Sequence, residues 1–116
     1  HLDRARARAA TGDSATARTD LDMALKLVPA DPLGWLLSAT LARRSGDLAR
    51  ARTDIAEAMK RAPKDAEVAL EAGNIAVLSG SDAAARTAWD AAVRAAPDSA
   101  AGKAAAESLK RLGAPQ

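Results

Sequence analysis

Apolar side chains recur at intervals of three and four residues along most of the chain, the spacing that collects them on one side of an α-helix. Two such stripes are Leu48, Ala51, Ile55, Ala58, Met59 and Ala62 in one segment, and Ala17, Leu21, Ala24, Leu25 and Val28 in another. Strong helix formers, above all alanine, leucine and arginine, dominate the composition. Because β-branched residues nowhere form a strand-like run, the pattern predicts an all-α protein.

Glycine and proline alternate along the chain at a constant step, so that each of them returns with one fixed period. They stand at Gly12, Pro29, Gly46, Pro63, Gly80 and Pro97. A fixed period of about 34 residues is typical of a repeat built from two-helix units, because each unit needs one turn inside it and one turn after it. We expect each glycine to adopt the left-handed conformation that ends a first helix. Each proline prevents a second helix from continuing.

Helix starts are predicted by residues whose side-chain oxygen can accept a hydrogen bond from the first turn. These capping residues are Asp31, Asp47, Asp65, Ser81 and Ser99, and Pro32 suits a first helical position. Caps and turns together predict about seven helices, at 2–11, 14–28, 32–45, 48–62, 66–79, 82–96 and 100–112. The short loops between them make neighbouring helices antiparallel.

The three periods share a motif in their second helices. Alanine, arginine and threonine stand together at 17–19, 51–53 and 85–87, and a large apolar residue follows each alanine after four positions. With Trp35, Gly73 and the closing prolines, this resembles the tetratricopeptide repeat (TPR) family, whose pattern is W-x2-L-G-x2-Y, then A-x3-F, then P. The residues that carry the resemblance are Gly12, Ala17, Leu21, Pro29, Trp35, Ala39, Gly46, Ala51, Ile55, Pro63, Gly73, Gly80, Ala85, Trp89 and Pro97.

The first-helix half of the pattern departs from the family. Ala5 and Ala39 replace its glycine, and its leucine place holds Arg4, Ser38 and Ala72. These changes are toward small or polar residues, so we expect light packing.

Small residues in both helices of a unit allow the two backbones to approach closely. We expect Ala39 or Gly73 to meet the region of Ala51 or Ala85. The large apolar residue four positions after each of these second-helix alanines then fills the gap between one repeat and the next.

The resemblance implies an α-solenoid of antiparallel helix pairs that forms a right-handed superhelix. It implies a single TPR domain over 1–116, with repeats at approximately 1–31, 32–65 and 66–99 and a capping helix at 100–112. The capping helix has an apolar face of Ala101, Ala105, Leu109 and Leu112, while Lys103, Lys110 and Arg111 lie elsewhere on it. A polar outer face is what the end of a solenoid needs in order to stay in solution.

In the family that the chain resembles, first helices line a concave groove that holds an extended peptide or a partner's helix. The corresponding positions here are Leu33, Leu36, Leu37, Thr40, Arg44, Glu67, Leu70, Glu71 and Asn74, with Leu78 and, in the first repeat, Leu2, Asp3 and Arg6. Some family members clamp a terminal carboxylate with lysine, asparagine and arginine. Leucines and two glutamates replace much of that clamp here, which favours an apolar peptide or helix carrying basic residues. Leu33 and Leu37 could instead pack between repeats, and Leu36→Asp would separate groove from core.

The residues offer little catalytic chemistry. Cysteine is absent and His1 is the only histidine, which excludes disulfides, the usual zinc sites and Cys-His pairs, and leaves a Ser-His pair only if His1 serves. The acidic pairs Asp20 with Asp22 and Asp65 with Glu67 are interpreted as caps and solvated charges. We therefore expect no enzymatic activity, no cofactor and no metal.

Charge and hydropathy predict neither nucleic-acid binding nor membrane insertion. The formal net charge is +2, and the basic run Arg4, Arg6 and Arg8 does not share one helical face. No apolar run reaches the roughly 20 residues needed to span a bilayer.

These observations predict a non-enzymatic protein–protein interaction scaffold with a protein or peptide partner of unknown identity. One alternative is self-association, with a homodimer formed through the interrupted N-terminal repeat. Another is a regulatory segment of a larger, enzymatic bacterial protein, since His1 falls inside a repeat and the chain looks cut from something longer. The alanine- and arginine-rich composition suggests a bacterial source. The compartment stays open: we expect a soluble protein and favour the bacterial cytoplasm over the periplasm.

Overall fold

The computed structural model describes residues 14–113 and places them in six helices, with no strand in that range. The helices are α1 (Ser14–Leu27), α2 (Pro32–Arg44), α3 (Leu48–Arg61), α4 (Ala66–Leu78), α5 (Asp82–Ala95) and α6 (Ala100–Leu112). The predicted all-α class is confirmed. Each described helix begins at its predicted residue, and all but α6 end one residue earlier than predicted. The predicted helix at 2–11 lies outside the described residues.

The predicted caps explain why the helices start where they do. The Asp65 carboxylate accepts hydrogen bonds from the backbone N–H groups of Glu67, at 2.8 Å, and Val68, at 3.2 Å. Asp31, Asp47, Ser81 and Ser99 each accept one bond from the first turn of the helix that follows. All five capping predictions are confirmed.

The glycine turns end α2 and α4 as predicted. Gly46 has φ +83° and Gly80 has φ +85°, and nothing lies near the position that a Cβ would occupy. The requirement is therefore conformational rather than steric. After Gly46, the N–H of Asp47 returns to the carbonyl of Ala42 at 2.8 Å, which is the closing bond of a Schellman motif. Asp47 thus helps to end α2 and also caps α3.

The chain divides into two compact units, 1–61 and 62–116. In the first unit α1 packs against α2, and α2 packs against α3. Ala17, Leu21 and Leu41 form a core cluster there, and Leu37 packs against it. Ala39 and Ala51 are completely buried, as expected for residues at a close approach of helices.

The second unit consists of α4, α5 and α6, each of which contacts the other two. Its core surrounds Trp89, which is 5% exposed and clusters with Ala85, Ala92 and Ala105. A Cβ added to Gly73 would lie 2.3 Å from the Trp89 indole. The predicted close approach at Gly73 therefore exists, but the nearest side chain is Trp89 rather than Ala85. The indole is large enough that only a glycine fits beside it.

The last helix, α6, has the two faces that its sequence predicted. Ala101 and Ala105 are buried, and Leu109 and Leu112 pack against the Trp89 cluster. The basic residues Lys103, Lys110 and Arg111 are exposed. Gly102, which the sequence had not singled out, is also required, because a Cβ there would lie 2.0 Å from the carbonyl oxygen of Ala96.

Candidate functional site

A closed ring of five hydrogen-bonded side chains joins the three helices of the first unit. We call Arg18 and Asp22 of α1, Ser38 of α2, and Arg50 and Asp54 of α3 the polar ring. Arg18 Nη1 donates to Ser38 Oγ at 2.5 Å, and Ser38 Oγ donates to Asp54 Oδ2 at 2.5 Å. Arg50 donates from Nε to Asp54 Oδ2 at 2.8 Å and from Nη2 to Asp22 Oδ1 at 3.0 Å. Arg18 closes the ring with an ion pair to Asp22 at 3.3 Å.

The centre of the polar ring is withdrawn from water. Ser38 is 0% exposed and Asp54 is 2% exposed, so both belong to the interior of the unit. Burial alone would lower the pKa of the Arg50 guanidinium, but its bonds to Asp54 and Asp22 outweigh that effect and raise the pKa above its ordinary value. Arg50 therefore stays charged at any physiological pH and compensates the buried carboxylate.

The structure corrects the interpretation of one acidic pair. Asp20 and Asp22 are not simply solvated: Asp20 is buried and has a bonding partner, and Asp22 pairs with two arginines. Ser38, which replaces the family's leucine, is buried, and its hydroxyl bridges Arg18 and Asp54. The signals that could have revealed this were the i, i+4 spacings of Arg18 with Asp22 and of Arg50 with Asp54.

The polar ring is suited to holding helices together rather than to catalysis. Ser38 is buried and donates its proton to a carboxylate without an intervening histidine, so its oxygen is not presented to a substrate. An open cleft of about 380 Å³ lies beside the ring and includes Arg18, Asp22 and Arg50 in its lining. Of these three side chains, both arginines are already paired with Asp22.

The predicted groove residues of α2 divide between interior and surface. Leu36 is 8% exposed and belongs to the core. Leu33 and Thr40 are half-buried, as is Leu37, which packs on the core cluster of the first unit. Arg44 is exposed.

The predicted groove residues of α4 divide in the same way. Glu71 is buried and has a bonding partner. Leu70 and Asn74 are half-buried and engage Trp89, whose Nε1 donates to the Leu70 carbonyl at 3.3 Å and to Asn74 Oδ1 at 3.2 Å. Glu67 is exposed, and Leu78 is 56% exposed.

A second polar cluster surrounds the turn between α1 and α2. The carbonyl of Pro29 accepts bonds from Trp35 Nε1 at 2.8 Å and from Arg61 Nε at 2.7 Å. The Arg61 guanidinium carbon also lies 5.0 Å from the centroid of the Trp35 ring, a cation–π contact. Glu57 Oε2 accepts from Arg61 Nη1 at 2.9 Å. The bond from Arg61, opposed by partial burial and aided by the charge of Lys60, lowers the pKa of the Glu57 carboxyl below its ordinary value.

The comparisons with known proteins agree with this architecture. A family model described as tetratricopeptide repeat matches the chain over residues 2–58 and again over residues 36–100. The chain belongs to the tetratricopeptide repeat family. Among solved structures, this TPR chain is similar to the crystal structure of the Sgt2 TPR domain from Aspergillus fumigatus, with a TM-score of 0.83 and 23% sequence identity. That match covers 94% of this chain and 74% of the other. A search of curated proteins gives no match.

The TPR fold commonly mediates protein–protein interactions, and its members are typically scaffolds rather than enzymes. Within residues 14–113 no group of three or more histidine, cysteine or acidic side chains is placed to hold a metal ion. None of the helices in that range combines the length and the apolar character needed to cross a membrane.

Several sequence predictions for this TPR chain lie outside the described residues. They include Gly12, the interrupted first repeat with its proposed homodimer contact, and the terminal basic run. The remaining signature residues all lie in the described helices and turns.

Proposed function

We propose that this chain is a non-enzymatic protein-interaction module that binds a peptide or helix of a partner through the first helices of its repeats, α2 and α4. The supporting observation is which equivalent positions hold different residue types in the two complete repeats. Turn glycines and close-contact alanines keep their residue types from one repeat to the next, as in Gly46 and Gly80 or Ala51 and Ala85. A buried scaffold position varies only together with the residue it packs against, as Ala39 with Ile55 does relative to Gly73 with Trp89, whereas a contact position is free to suit its partner.

The predicted groove positions vary between the repeats. Leu33, Leu37, Thr40 and Arg44 of α2 correspond to Glu67, Glu71, Asn74 and Leu78 of α4, and only Leu36 with Leu70 keeps its type. Recognition through these positions would therefore differ from one repeat to the next.

Solvent exposure limits which of the predicted groove residues can contact a partner. Leu36 and Glu71 are withdrawn into the interior, so they support the helices that present the surface. The accessible members are Arg44, with half-buried Leu33, on α2, and Glu67 and Leu78 on α4. On α4 we propose that a basic residue of the partner pairs with Glu67 and that an apolar residue of the partner contacts Leu78.

The proposal is tested by affinity capture with the intact protein, followed by titration of the captured segment against charge-reversed variants. We expect Arg44→Glu and Glu67→Lys to fold normally, because both side chains are exposed. Glu67→Lys should weaken binding by about tenfold, which corresponds to roughly 1.4 kcal/mol. Leu36→Asp is a poorer test, because placing a charge at a buried position should unfold the unit.

Arg111→Glu is the matched control, since Arg111 is exposed on α6 and outside the proposed surface. If Arg44→Glu and Glu67→Lys bind every captured partner as tightly as the unchanged protein, partner binding does not use the first helices.

A further inference from the structure

The cluster around Arg61 includes an open cavity whose lining carries a net positive charge. The cavity is about 450 Å³ and is lined by Pro29, Ala30, Glu57, Lys60 and Arg61. Its lining has two cations and one carboxylate. The Lys60 side chain is 73% exposed, and its Nζ lies 3.7 Å from Glu57, so it remains accessible to a ligand.

Arg61 is held in one orientation beside this cavity. Its Nε donates to the Pro29 carbonyl, and its Nη1 donates to both the Glu57 carbonyl and the Glu57 carboxylate. Its guanidinium carbon lies over the Trp35 ring. Within the described part of the chain, these bonds leave Nη2 of Arg61 without an acceptor. A guanidinium that is already ordered loses little conformational entropy when its remaining edge binds a carboxylate.

The repeat scaffold does not require this guanidinium. The positions equivalent to Arg61 in the preceding and following repeats hold Leu27 and Ala95, and those equivalent to Glu57 hold Met23 and Ala91. Only the middle repeat therefore combines an arginine with a neighbouring lysine at the end of its second helix.

Two exposed apolar residues directly precede the cavity residue Pro29 in the sequence. Leu27 and Val28, immediately before Pro29, are 63% and 53% exposed. A ligand that placed a carboxylate on Arg61 and Lys60 could cover these side chains with an apolar residue.

We propose that this surface, made of Leu27, Val28, Pro29, Lys60 and Arg61, is a second docking site that binds an acidic, apolar peptide segment. The carboxylate of an aspartate or glutamate in that segment pairs with Arg61 Nη2 and with Lys60, and an adjacent leucine-like side chain covers Leu27 and Val28. The site uses different residues from the first-helix surface proposed above, and it takes a partner of opposite charge preference.

The test is an NMR titration of the ¹⁵N-labelled chain with a short end-blocked peptide of leucine and aspartate. A second peptide, with asparagine in place of aspartate, separates charge from apolar contact. The chain has two tryptophans, and the indole N–H signal of Trp35, assigned with Trp35→Phe, should shift on binding, while that of buried Trp89 should not. We expect saturable binding of the aspartate peptide that weakens with added salt, and little binding of the asparagine peptide.

Two variants complete the test. Arg61→Ala should weaken binding by about tenfold, whereas Arg94→Ala, which removes a comparable i, i+4 pair with Asp90 on α5, should not change it. Arg61→Ala also removes contacts to Pro29 and Trp35, so its effect combines binding with local structure. Lys60→Glu changes only an exposed side chain, and it should also weaken binding. Equal binding of both peptides, unchanged binding by Lys60→Glu, or no shift of the Trp35 signal at saturating aspartate peptide would each overturn the proposal.

Discussion

At the scale of single residues, the packing between helices depends on small side chains and on a few buried polar ones. Alanines fill the contacts between helices, and the largest fully buried side chains in the described range are Leu21, Ile75, Asp54 and Ser38. Two of these four are polar. The first unit is therefore held together by directional bonds as well as by apolar packing, and the loss of one bond should be measurable.

Ser38→Ala tests the polar ring. The change leaves Asp54 without one of its donors and Arg18 without one of its acceptors, so we expect it to lower the free energy of unfolding by about 1–3 kcal/mol. Urea unfolding followed by circular dichroism measures this. Thr53→Ala is the control, because it also removes one hydroxyl hydrogen bond, but an exposed and local one. Equal effects of the two variants would mean that the polar ring contributes nothing beyond a surface hydroxyl.

Gly73 and Trp89 form a pair whose energetic coupling can be measured. Gly73→Ala places a Cβ against the indole and should cost about 1–3 kcal/mol of stability. The equivalent pair in the preceding repeat is Ala39 with Ile55. We therefore expect Gly73→Ala to cost less in a Trp89→Ile background, by about 1 kcal/mol or more in a double-mutant cycle. Additive effects would show that the close contact is relieved elsewhere in the unit.

At the scale of the helix, stability is concentrated at the ends. Side-chain caps start α2 and α4, and positive-φ glycines follow them, so both of these first helices have their two termini satisfied. Charged pairs spaced by four residues support the interior. In α3, Arg61 pairs with Glu57 and also ties the end of the helix to the turn between α1 and α2 through the Pro29 carbonyl.

The Glu57 pair in α3 predicts a pH dependence. The pKa of Glu57 in the folded protein lies below its ordinary value of 4.5. The ion pair's contribution to the free energy of unfolding is therefore complete above that pH and is lost as the pH falls through the lowered folded pKa. We expect the stability difference between the unchanged protein and Glu57→Gln to be constant near neutral pH and to shrink in acid. Chemical unfolding of both proteins at several acidic pH values measures this. A difference that is independent of pH would show that the ion pair is not formed in solution.

At the scale of the whole molecule, each unit needs a third helix to complete the core of a helix pair. In the second unit α6 supplies Ala105, Leu109 and Leu112 to the cluster around Trp89, and Arg86 of α5 donates to the carbonyl of Gly113 at 2.7 Å. This makes α6 a structural part of the unit rather than an appendage.

Deletion of residues 98–116 should therefore expose the Trp89 cluster. We expect a loss of about 3 kcal/mol or more in stability, or aggregation, because several apolar side chains lose their cover. Thermal melting and size-exclusion chromatography report the two outcomes. Lys103→Ala, at an exposed position of the same helix, should change stability by no more than about 0.5 kcal/mol. A truncated chain that melts like the intact one would show that α6 does not support the core.

The amino-acid sequence alone determined the features that depend on neighbours along the chain. Caps, glycine turns and prolines act over a few residues, so the helix starts, the positive φ of Gly46 and Gly80 and the two faces of α6 could be predicted from it. The fixed period of glycine and proline then led to the family, because a repeated local pattern requires a repeated packing solution.

Only the tertiary structure decided which side chains meet across helices. The polar ring joins residues of three helices, Gly73 lies against Trp89, and Leu36 and Glu71 are buried although their positions predicted a groove. The physical reason is that helical periodicity defines a face, whereas the crossing of helices and the choice of rotamers define the contacts on it. Those contacts leave Arg44, Glu67 and the Arg61 cavity accessible, and these are the surfaces on which the proposed interactions depend.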